Sequence, residues 1–164
     1  MVPPGRARDP WRGMVDEIVS PARWIIDGNS RASWSGPDVA ETGRAVSFRR
    51  QDRVAVITIE RPGRRNTIDA TVAFELADAC LEARRDDGVW AVVLTGAGET
   101  FCAGTDPEAL EKAANDPSLL STLRAAEFVG HIEKPVVAAL NGDALDQGLE
   151  LALACDLRVA SRSA

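Results

Sequence analysis

The chain has 164 residues, of which 45% are hydrophobic and 27% charged, values typical of one globular domain. Collagen-like, wholly disordered and coiled-coil proteins are excluded by this composition. With 19 basic against 25 acidic residues the net charge is −6, so we expect no nucleic-acid partner, which would require an excess of Lys and Arg.

The sequence also indicates where the protein works. No apolar run approaches the roughly 20 residues of a membrane-spanning helix, and the N-terminus lacks the apolar segment of a secretory signal. We therefore expect a soluble, cytoplasmic protein without a membrane partner. Cys80, Cys102 and Cys155 are far apart and odd in number, which favours three free buried thiols. Because His131 is the only histidine, we expect neither a metal site nor Ser-His-Asp or Cys-His catalysis.

Residues 1–44 differ from the rest of the chain. They are rich in residues that break regular structure, although Met14, Val15 and Ile18 are spaced for a short helix that Pro21 would end. Three of the four tryptophans lie here: Trp11, Trp24 and Trp34. We interpret the segment as a flexible polar extension. Its tryptophans either dock on the main domain or a neighbouring subunit, or belong to a disordered tail.

A regular hydrophobic pattern begins at Ala45, and we take residues 45–164 as one domain. Val46 and Phe48 alternate with polar residues, and an apolar run follows over residues 54–59. Alternation followed by an apolar run predicts a β-hairpin with one buried face.

The next segments alternate between helix and strand. Asp69 is suited to cap a helix in which apolar residues recur every three or four positions as far as residues 85–88. Residues 90–95 then form a nearly continuous apolar strand. A glycine-rich turn leads to Pro107, which favours the first position of a short helix ending near Ala114.

The C-terminal part continues this alternation. We predict a helix over residues 116–132, a buried strand over 136–140, a short helix over 148–154 and a last strand over 157–160. Strands and helices in this succession predict an α/β fold with right-handed crossovers.

Two turns are suited to binding an anionic oxygen. Gly96 and Gly98 do not form a dinucleotide-binding fingerprint, because Phe101 stands where its third glycine is needed. Residues 101–106 and 141–148, in contrast, each place backbone N–H groups at the start of a helix, where the partial charge is positive. Two such N–H donors are what an oxyanion hole requires.

Glu150 is the most distinctive ionisable residue. It lies in the first turn of an otherwise apolar helix, so its carboxylate must face water or a cavity. Glu150 is therefore either a general acid or base beside the oxyanion hole, or a surface residue that interacts with the helix dipole.

Over residues 46–160 the sequence resembles the crotonase (enoyl-CoA hydratase/isomerase) superfamily. The matching segments are residues 54–62 with 65–66, then 91–96, 101–106, 134–142 and 148–156. The resemblance implies an α/β, crotonase-like spiral of ββα turns, assembled as a homo-oligomeric trimer or hexamer. It also implies an acyl-CoA thioester substrate, with coenzyme A as part of the substrate and no separate cofactor.

The resemblance further implies residue roles. The backbone N–H groups of Thr105 and Gln147 hold the thioester oxygen, and Glu150 acts on the water that adds to a 2-enoyl-CoA. Substrate-binding positions fall in two segments: Arg65, Asn66, Ala103, Gly104 and Asp106. The implied activity is enoyl-CoA hydration. The alternatives are an isomerase of the same fold and a truncated, non-catalytic homologue that binds coenzyme A.

Three features depart from the family pattern. Asp146 and Gln147 stand where the family usually has glycine, so a positive φ would strain Gln147, and Asp146 adds negative charge near the oxyanion. We expect Asp146 to be a turn or helix-capping residue rather than a replacement acid.

Thr105 replaces a commonly smaller residue, which narrows the space for the acyl group. The family's second catalytic carboxylate lies beyond Ala164, so we expect an incomplete C-terminus with an exposed sheet edge at residues 157–160. The chain is then a fragment, a truncated relative or one piece of an assembly.

Overall fold

The structure is a computed structural model that describes residues 24–26, 32–34, 43–116, 123–162 and 164. The chain divides into two compact units, Met1–Gly36 and Pro37–Ala164. In the first unit, β1 (Trp24–Ile26) and β2 (Ala32–Trp34) pair antiparallel with Trp24 opposite Trp34. The short helix predicted around Met14 lies outside the described residues.

Five strands form the main sheet of the second unit. In spatial order they are β3 (Val46–Gln51), β4 (Val54–Ile59), β5 (Ala91–Gly96), β7 (Val136–Leu140) and β9 (Leu157–Ala160). β3 and β4 form the predicted antiparallel hairpin, and every other neighbouring pair is parallel. All four residues of β9 are exposed, which confirms the predicted open edge.

Two short strands that the sequence did not predict form a second, smaller sheet. β6 (Thr100–Cys102) and β8 (Asp143–Ala144) pair in parallel, each shortly after a strand of the main sheet. They follow β5 and β7, which are neighbours, so the segments after both strands lie at the same end of the main sheet. This small sheet sets the positions of the two glycine-containing turns.

The described residues contain four α-helices: α1 (Ala70–Arg85), α2 (Pro107–Asn115), α3 (Ala125–Gly130) and α4 (Gln147–Ala154). Of the helix predicted over residues 116–132, the structure shows α3 over Ala125–Gly130, and residues 117–122 lie outside the described residues. Arg124, with φ −77° and ψ 61°, is not helical. The strand predicted from Trp90 begins one residue later, at Ala91. Trp90 itself is 61% exposed, and the Arg53 guanidinium lies over its ring.

Helix α1 is fixed at both ends by hydrogen bonds. The Asp69 carboxylate accepts from the Val72 amide at 3.0 Å, as a capping residue should. At the other end, Lys134 Nζ donates to the carbonyls of Ala83 (2.7 Å) and Asp86 (2.6 Å), groups that a helix end leaves without partners. The buried face of α1 packs on the sheet and forms the centre of the core: Val72, Ala73, Leu76, Ala79, Cys80 and Ala83.

The three cysteines are free and buried, as predicted. Burial raises the pKa of Cys80 and Cys155 to about 12 and that of Cys102 to about 11. These thiols therefore stay protonated and contribute apolar volume to the core rather than nucleophiles. Among the described residues, no helix is long and apolar enough to cross a membrane.

Candidate functional site

The site begins with the loop after β4, which contains a short 3-10 helix at Pro62–Arg64. The loop is held from inside by Asn66, which is fully buried. Asn66 Oδ1 accepts from the Arg61 amide at 2.9 Å, and Nδ2 donates to the carbonyls of Ala97 (2.9 Å) and Thr100 (2.6 Å). Asn66 thus shapes the loop, and a direct contact with a ligand would require it to become exposed.

Arg65, in contrast, projects from the same loop. Its backbone is left-handed, with φ 52°, and its side chain is 58% exposed beside Asp143, at 2.8 Å. Arg64 is exposed to a similar degree, 52%. The loop therefore presents two guanidinium groups to solvent at the edge of the candidate site.

The first glycine-containing turn is attached to this loop by backbone hydrogen bonds. The Ala103 amide donates to the Arg65 carbonyl at 3.0 Å, and the Ile68 amide donates to the Gly104 carbonyl at 2.8 Å. Gly104 has φ 98°, a conformation that favours glycine, so this position requires the residue found there. Ala103 and Gly104 accordingly lie next to Arg65, as the substrate-binding prediction requires.

Asp106 is a buried part of the turn rather than an exposed binding group. It is 4% exposed, precedes Pro107 as the N-cap of α2, and accepts from the Glu108 amide at 3.1 Å. Burial alone would raise the pKa of Asp106. Hydrogen bonds from the Thr67 hydroxyl, the Glu108 amide and the Arg64 guanidinium lower it below its usual value. Direct contact between Asp106 and a ligand would likewise require this network to open.

The second turn is packed closely against the first. The Leu145 amide donates to the Cys102 carbonyl at 3.0 Å. A Cβ atom on Gly148 would lie 2.1 Å from that carbonyl oxygen, so only glycine allows α4 to approach β6 so closely. As a result the two helix starts that the sequence singled out stand side by side.

Thr105 and Gln147, the predicted oxyanion-hole residues, are in direct contact. Gln147 Nε2 donates to Thr105 Oγ1 at 2.8 Å, while Gln147 Oε1 is buried without a partner among the described residues. The structure therefore brings both residues together, while their catalytic role stays a prediction.

Asp146 lies between these two residues, and its side chain points to Thr105. Oδ2 accepts from the Thr105 amide at 3.2 Å and from the Thr105 hydroxyl at 3.0 Å. The Thr105 amide and hydroxyl, together with the Gln147 amide, lower the pKa of Asp146 despite some burial. Asp146 stands at the N-cap position of α4, as expected for a turn or capping residue, but its side chain makes no capping hydrogen bond to the Gly148 or Leu149 amide. The positive φ, 48°, also falls on Asp146 and not on Gln147.

Glu150 is exposed in the first turn of α4, one turn after Asp146, and its amide donates to the Asp146 carbonyl at 3.1 Å. The expectation that its carboxylate faces water or a cavity is therefore confirmed. Its neighbours Leu149 and Leu153 are not core residues, however, since they are 47% and 62% exposed. Leu145, Leu157 and Val159, in the neighbouring part of the chain, are likewise exposed.

The candidate site is thus a surface region built from two helix starts. It contains the backbone amides of Thr105, which the Asp146 carboxylate binds, and of Gln147, together with the exposed Glu150 carboxylate and two guanidinium groups on the adjoining loop. Backbone donors can stabilise a developing negative charge on oxygen, and a solvent-exposed carboxylate can accept or donate a proton.

Comparisons with known proteins show the family of the chain. The enoyl-CoA hydratase/isomerase family matches residues 49–164. A probable enoyl-CoA hydratase of Mycobacterium tuberculosis H37Rv is 42% identical over 114 residues, which cover 68% of this chain and 44% of that protein. A short-chain-enoyl-CoA hydratase of Clostridium acetobutylicum is 36% identical over 130 residues, covering 73% of this chain and 47% of that protein.

A solved structure has the same fold. The crystal structure of an enoyl-CoA hydratase from Bacillus anthracis superimposes with a TM-score of 0.69 at 33% identity, over 74% of this chain and 49% of that chain. The chain described here spans about half the length of the curated relatives it matches.

Proposed function

Because the chain belongs to the enoyl-CoA hydratase/isomerase family, we propose that it binds acyl-CoA thioesters and takes part in the hydration of a 2-enoyl-CoA. The observation that carries this proposal is the contact between the Thr105 and Gln147 turns, with Glu150 exposed one turn further along α4. This arrangement combines oxyanion donors and a proton-transferring group at one edge of the fold.

The proposed reaction adds water across the double bond conjugated to the thioester. Glu150 accepts a proton from water as the water oxygen bonds to C3, and the π electrons move towards the thioester oxygen. The amides of Thr105 and Gln147 stabilise the resulting enolate. The enolate oxygen carries more negative charge than the carbonyl oxygen of the bound thioester, so the amides bind it more strongly. The proton is then delivered to C2, so that the elements of water are added and no other reactant is needed.

Coenzyme A enters as part of the substrate, and we propose no metal or further cofactor. The exposed guanidinium groups of Arg64 and Arg65 are suited to the phosphates of coenzyme A, since Arg binds phosphate oxygens in a bidentate manner. The backbone at Ala103 and Gly104, joined to this loop, would line the path of the pantetheine arm towards Thr105.

A non-catalytic, CoA-binding homologue is the second candidate function. The contact between the Asp146 carboxylate and the Thr105 amide favours it, because a carboxylate at an oxyanion hole opposes the formation of an enolate. An isomerase of the same fold would use the same donors and differ only in moving a proton from the α to the γ carbon.

We also propose that the protein acts in fatty acid metabolism in the cytoplasm and assembles as a trimer or hexamer. The exposed apolar side chains of Leu145, Leu149, Leu153, Leu157 and Val159 support assembly, because large exposed apolar patches mark interaction surfaces. Sedimentation velocity measures the oligomeric state, and a monomer at all concentrations would contradict the proposed assembly.

The test is the loss of the conjugated enoyl absorbance when the protein meets crotonyl-CoA. We expect Glu150→Gln to slow hydration by about 100-fold or more, the usual effect of removing a general acid or base. Glu111→Gln is the matched control, since Glu111 is an exposed carboxylate on the neighbouring helix α2. Equal rates for the wild type and Glu150→Gln would refute the role of Glu150. Absence of both turnover and CoA binding would refute the proposed function.

A further inference from the structure

The Asp146 carboxylate occupies the position where the proposed function, on which this inference rests, places the thioester oxygen. Oδ2 accepts from the Thr105 amide at 3.2 Å and from the Thr105 hydroxyl at 3.0 Å. The backbone of Gln147 also lowers the pKa of this carboxylate. An anionic oxygen of the chain itself is therefore already hydrogen-bonded to the Thr105 amide, next to the second proposed donor.

We propose that Asp146 is a built-in competitor for the oxyanion hole, and that a thioester binds there only when its carbonyl oxygen displaces the Asp146 carboxylate. Asp146 then determines which ligands the site accepts, without taking part in the bond-forming step. Asp146 lowers the affinity for ligands whose carbonyl oxygen must bind the two amides, and it leaves unchanged the affinity for ligands that bind only through coenzyme A.

The backbone holds Asp146 in this position. Asp146 has φ 48° and ψ −123°, and its carbonyl accepts from the amides of Leu149 (3.0 Å) and Glu150 (3.1 Å) at the start of α4. A Cβ atom on Gly104 would lie 2.7 Å from the Asp146 Cβ, so the two turns fit together only because residue 104 is glycine. The backbone around Asp146 is thus constrained, and displacement has to occur by rotation of its side chain.

A capping role does not account for the contact. The amides that a capping side chain would bind are those of Gly148 and Leu149. They donate instead to the backbone carbonyls of Leu145 (2.7 Å) and Asp146 (3.0 Å). The carboxylate is directed away from its own helix and towards the neighbouring turn, which is where the substrate oxygen would go.

The same hydrogen bonds keep the competitor charged. The amide and hydroxyl of Thr105 and the amide of Gln147 lower the pKa of Asp146, so the group is an anion at neutral pH. A neutral carbonyl oxygen must therefore replace a charged acceptor that forms stronger hydrogen bonds. An Asp146 carboxylate that stayed in place would also repel the developing enolate.

The experiment compares two ligands that differ by one oxygen atom. Butyryl-CoA contains the thioester carbonyl, S-butyl-CoA is the thioether that lacks it, and neither has a double bond to hydrate. Isothermal titration calorimetry gives the ratio of their affinities for the wild type, Asp146→Gly and Asp146→Asn. We expect a ratio near one for the wild type and a preference of about tenfold or more for butyryl-CoA in Asp146→Gly, equivalent to about 1.4 kcal/mol.

Asp146→Asn keeps the size of the side chain and a residue type that tolerates positive φ, but it removes the negative charge. We therefore expect a ratio of the two affinities between those of the wild type and Asp146→Gly. Asp143→Asn is the control, because it removes a nearby exposed carboxylate that contacts only Arg65 among the described residues. It should change both affinities by the same factor. Thermal unfolding of each variant verifies that it folds.

The possible outcomes separate the two proposals. If both ligands bind and the affinity ratio of Asp146→Gly equals that of the wild type, competition by Asp146 is refuted while CoA binding stands. If neither ligand binds any variant, the proposed function fails and the competition fails with it. A ratio that rises equally in Asp143→Asn would also overturn the inference, since the effect would then be a general loss of negative charge.

Discussion

Replacing Asn66 by Ala tests the interior support of the site. Asn66 is fully buried, and its side chain satisfies the Arg61 amide and the carbonyls of Ala97 and Thr100. The substitution removes three hydrogen bonds of about 1 kcal/mol each and takes away the side-chain partner of the Arg61 amide and the Ala97 carbonyl, at a cost of about 1–3 kcal/mol for each buried group left unpaired. The Thr100 carbonyl keeps the Asn141 side-chain amide as a donor, at 3.3 Å. Asn66 also has φ 55°, which Asn tolerates better than Ala. We therefore expect Asn66→Ala to lower the free energy of unfolding by about 3–5 kcal/mol.

Urea unfolding followed by circular dichroism measures this loss for Asn66→Ala against the wild type. Asn115→Ala is the matched control, because the exposed Asn115 amide makes a single hydrogen bond to the Glu111 carbonyl within α2. It should change the free energy of unfolding by about 0.5 kcal/mol at most. A loss below about 1 kcal/mol in Asn66→Ala would refute the inference that this side chain holds the loop and the adjoining strand together.

Two further predictions concern packing and pH. Gly148→Ala places a Cβ atom 2.1 Å from the Cys102 carbonyl oxygen, so we expect urea unfolding to show a loss of about 3 kcal/mol. Gly130→Ala, at a position with nothing within 4 Å, should change stability by less than about 1 kcal/mol, and equal effects would contradict the packing argument. The pKa of Asp106 is lower in the folded protein than its usual value of 3.8. The ionised Asp106 carboxylate therefore stabilises the folded protein fully at a pH above 3.8, and this stabilisation is lost as the pH falls through the pKa of the folded state. In urea titrations at neutral and acid pH, Asp106→Asn should have a lower free energy of unfolding than the wild type at neutral pH, and this free energy should fall less on acidification. A pH dependence equal to that of the wild type would refute the stabilising role of the Asp106 carboxylate.

The main sheet and the first helix could be predicted because their signals are local. The alternation at Val46 and Phe48 and the capping Asp69 each determine structure within a few residues. The helix expected from residue 116 shows the limit of such reasoning. Hydrophobic spacing continued through Arg124, but the backbone there is not helical, and periodicity does not report where a helix is interrupted.

The site could be predicted only in part. Glycine-containing turns before two helices indicated residues 101–106 and 141–148, and the family resemblance assigned Thr105 and Gln147 within them. The contact between these two residues depends on β6 and β8, which are too short to have a recognisable period. The direction of the Asp146 side chain is set by the neighbouring turn at Gly104, a contact between residues far apart in the sequence. The exposure of Leu149 and Leu153 cannot be assigned from the helix sequence alone, because an apolar helix has the same pattern whichever of its faces is covered.

The most direct test of the account is the infrared carbonyl stretch of butyryl-CoA, isotopically labelled at the thioester carbonyl and bound to Asp146→Gly. Hydrogen bonds from the amides of Thr105 and Gln147 would polarise this carbonyl. The account predicts a stretching frequency lower than that of free butyryl-CoA, with a smaller shift in the wild type, where Asp146 competes for the same donors. An unchanged frequency in Asp146→Gly with butyryl-CoA bound would contradict the assignment of these two turns as the oxyanion hole.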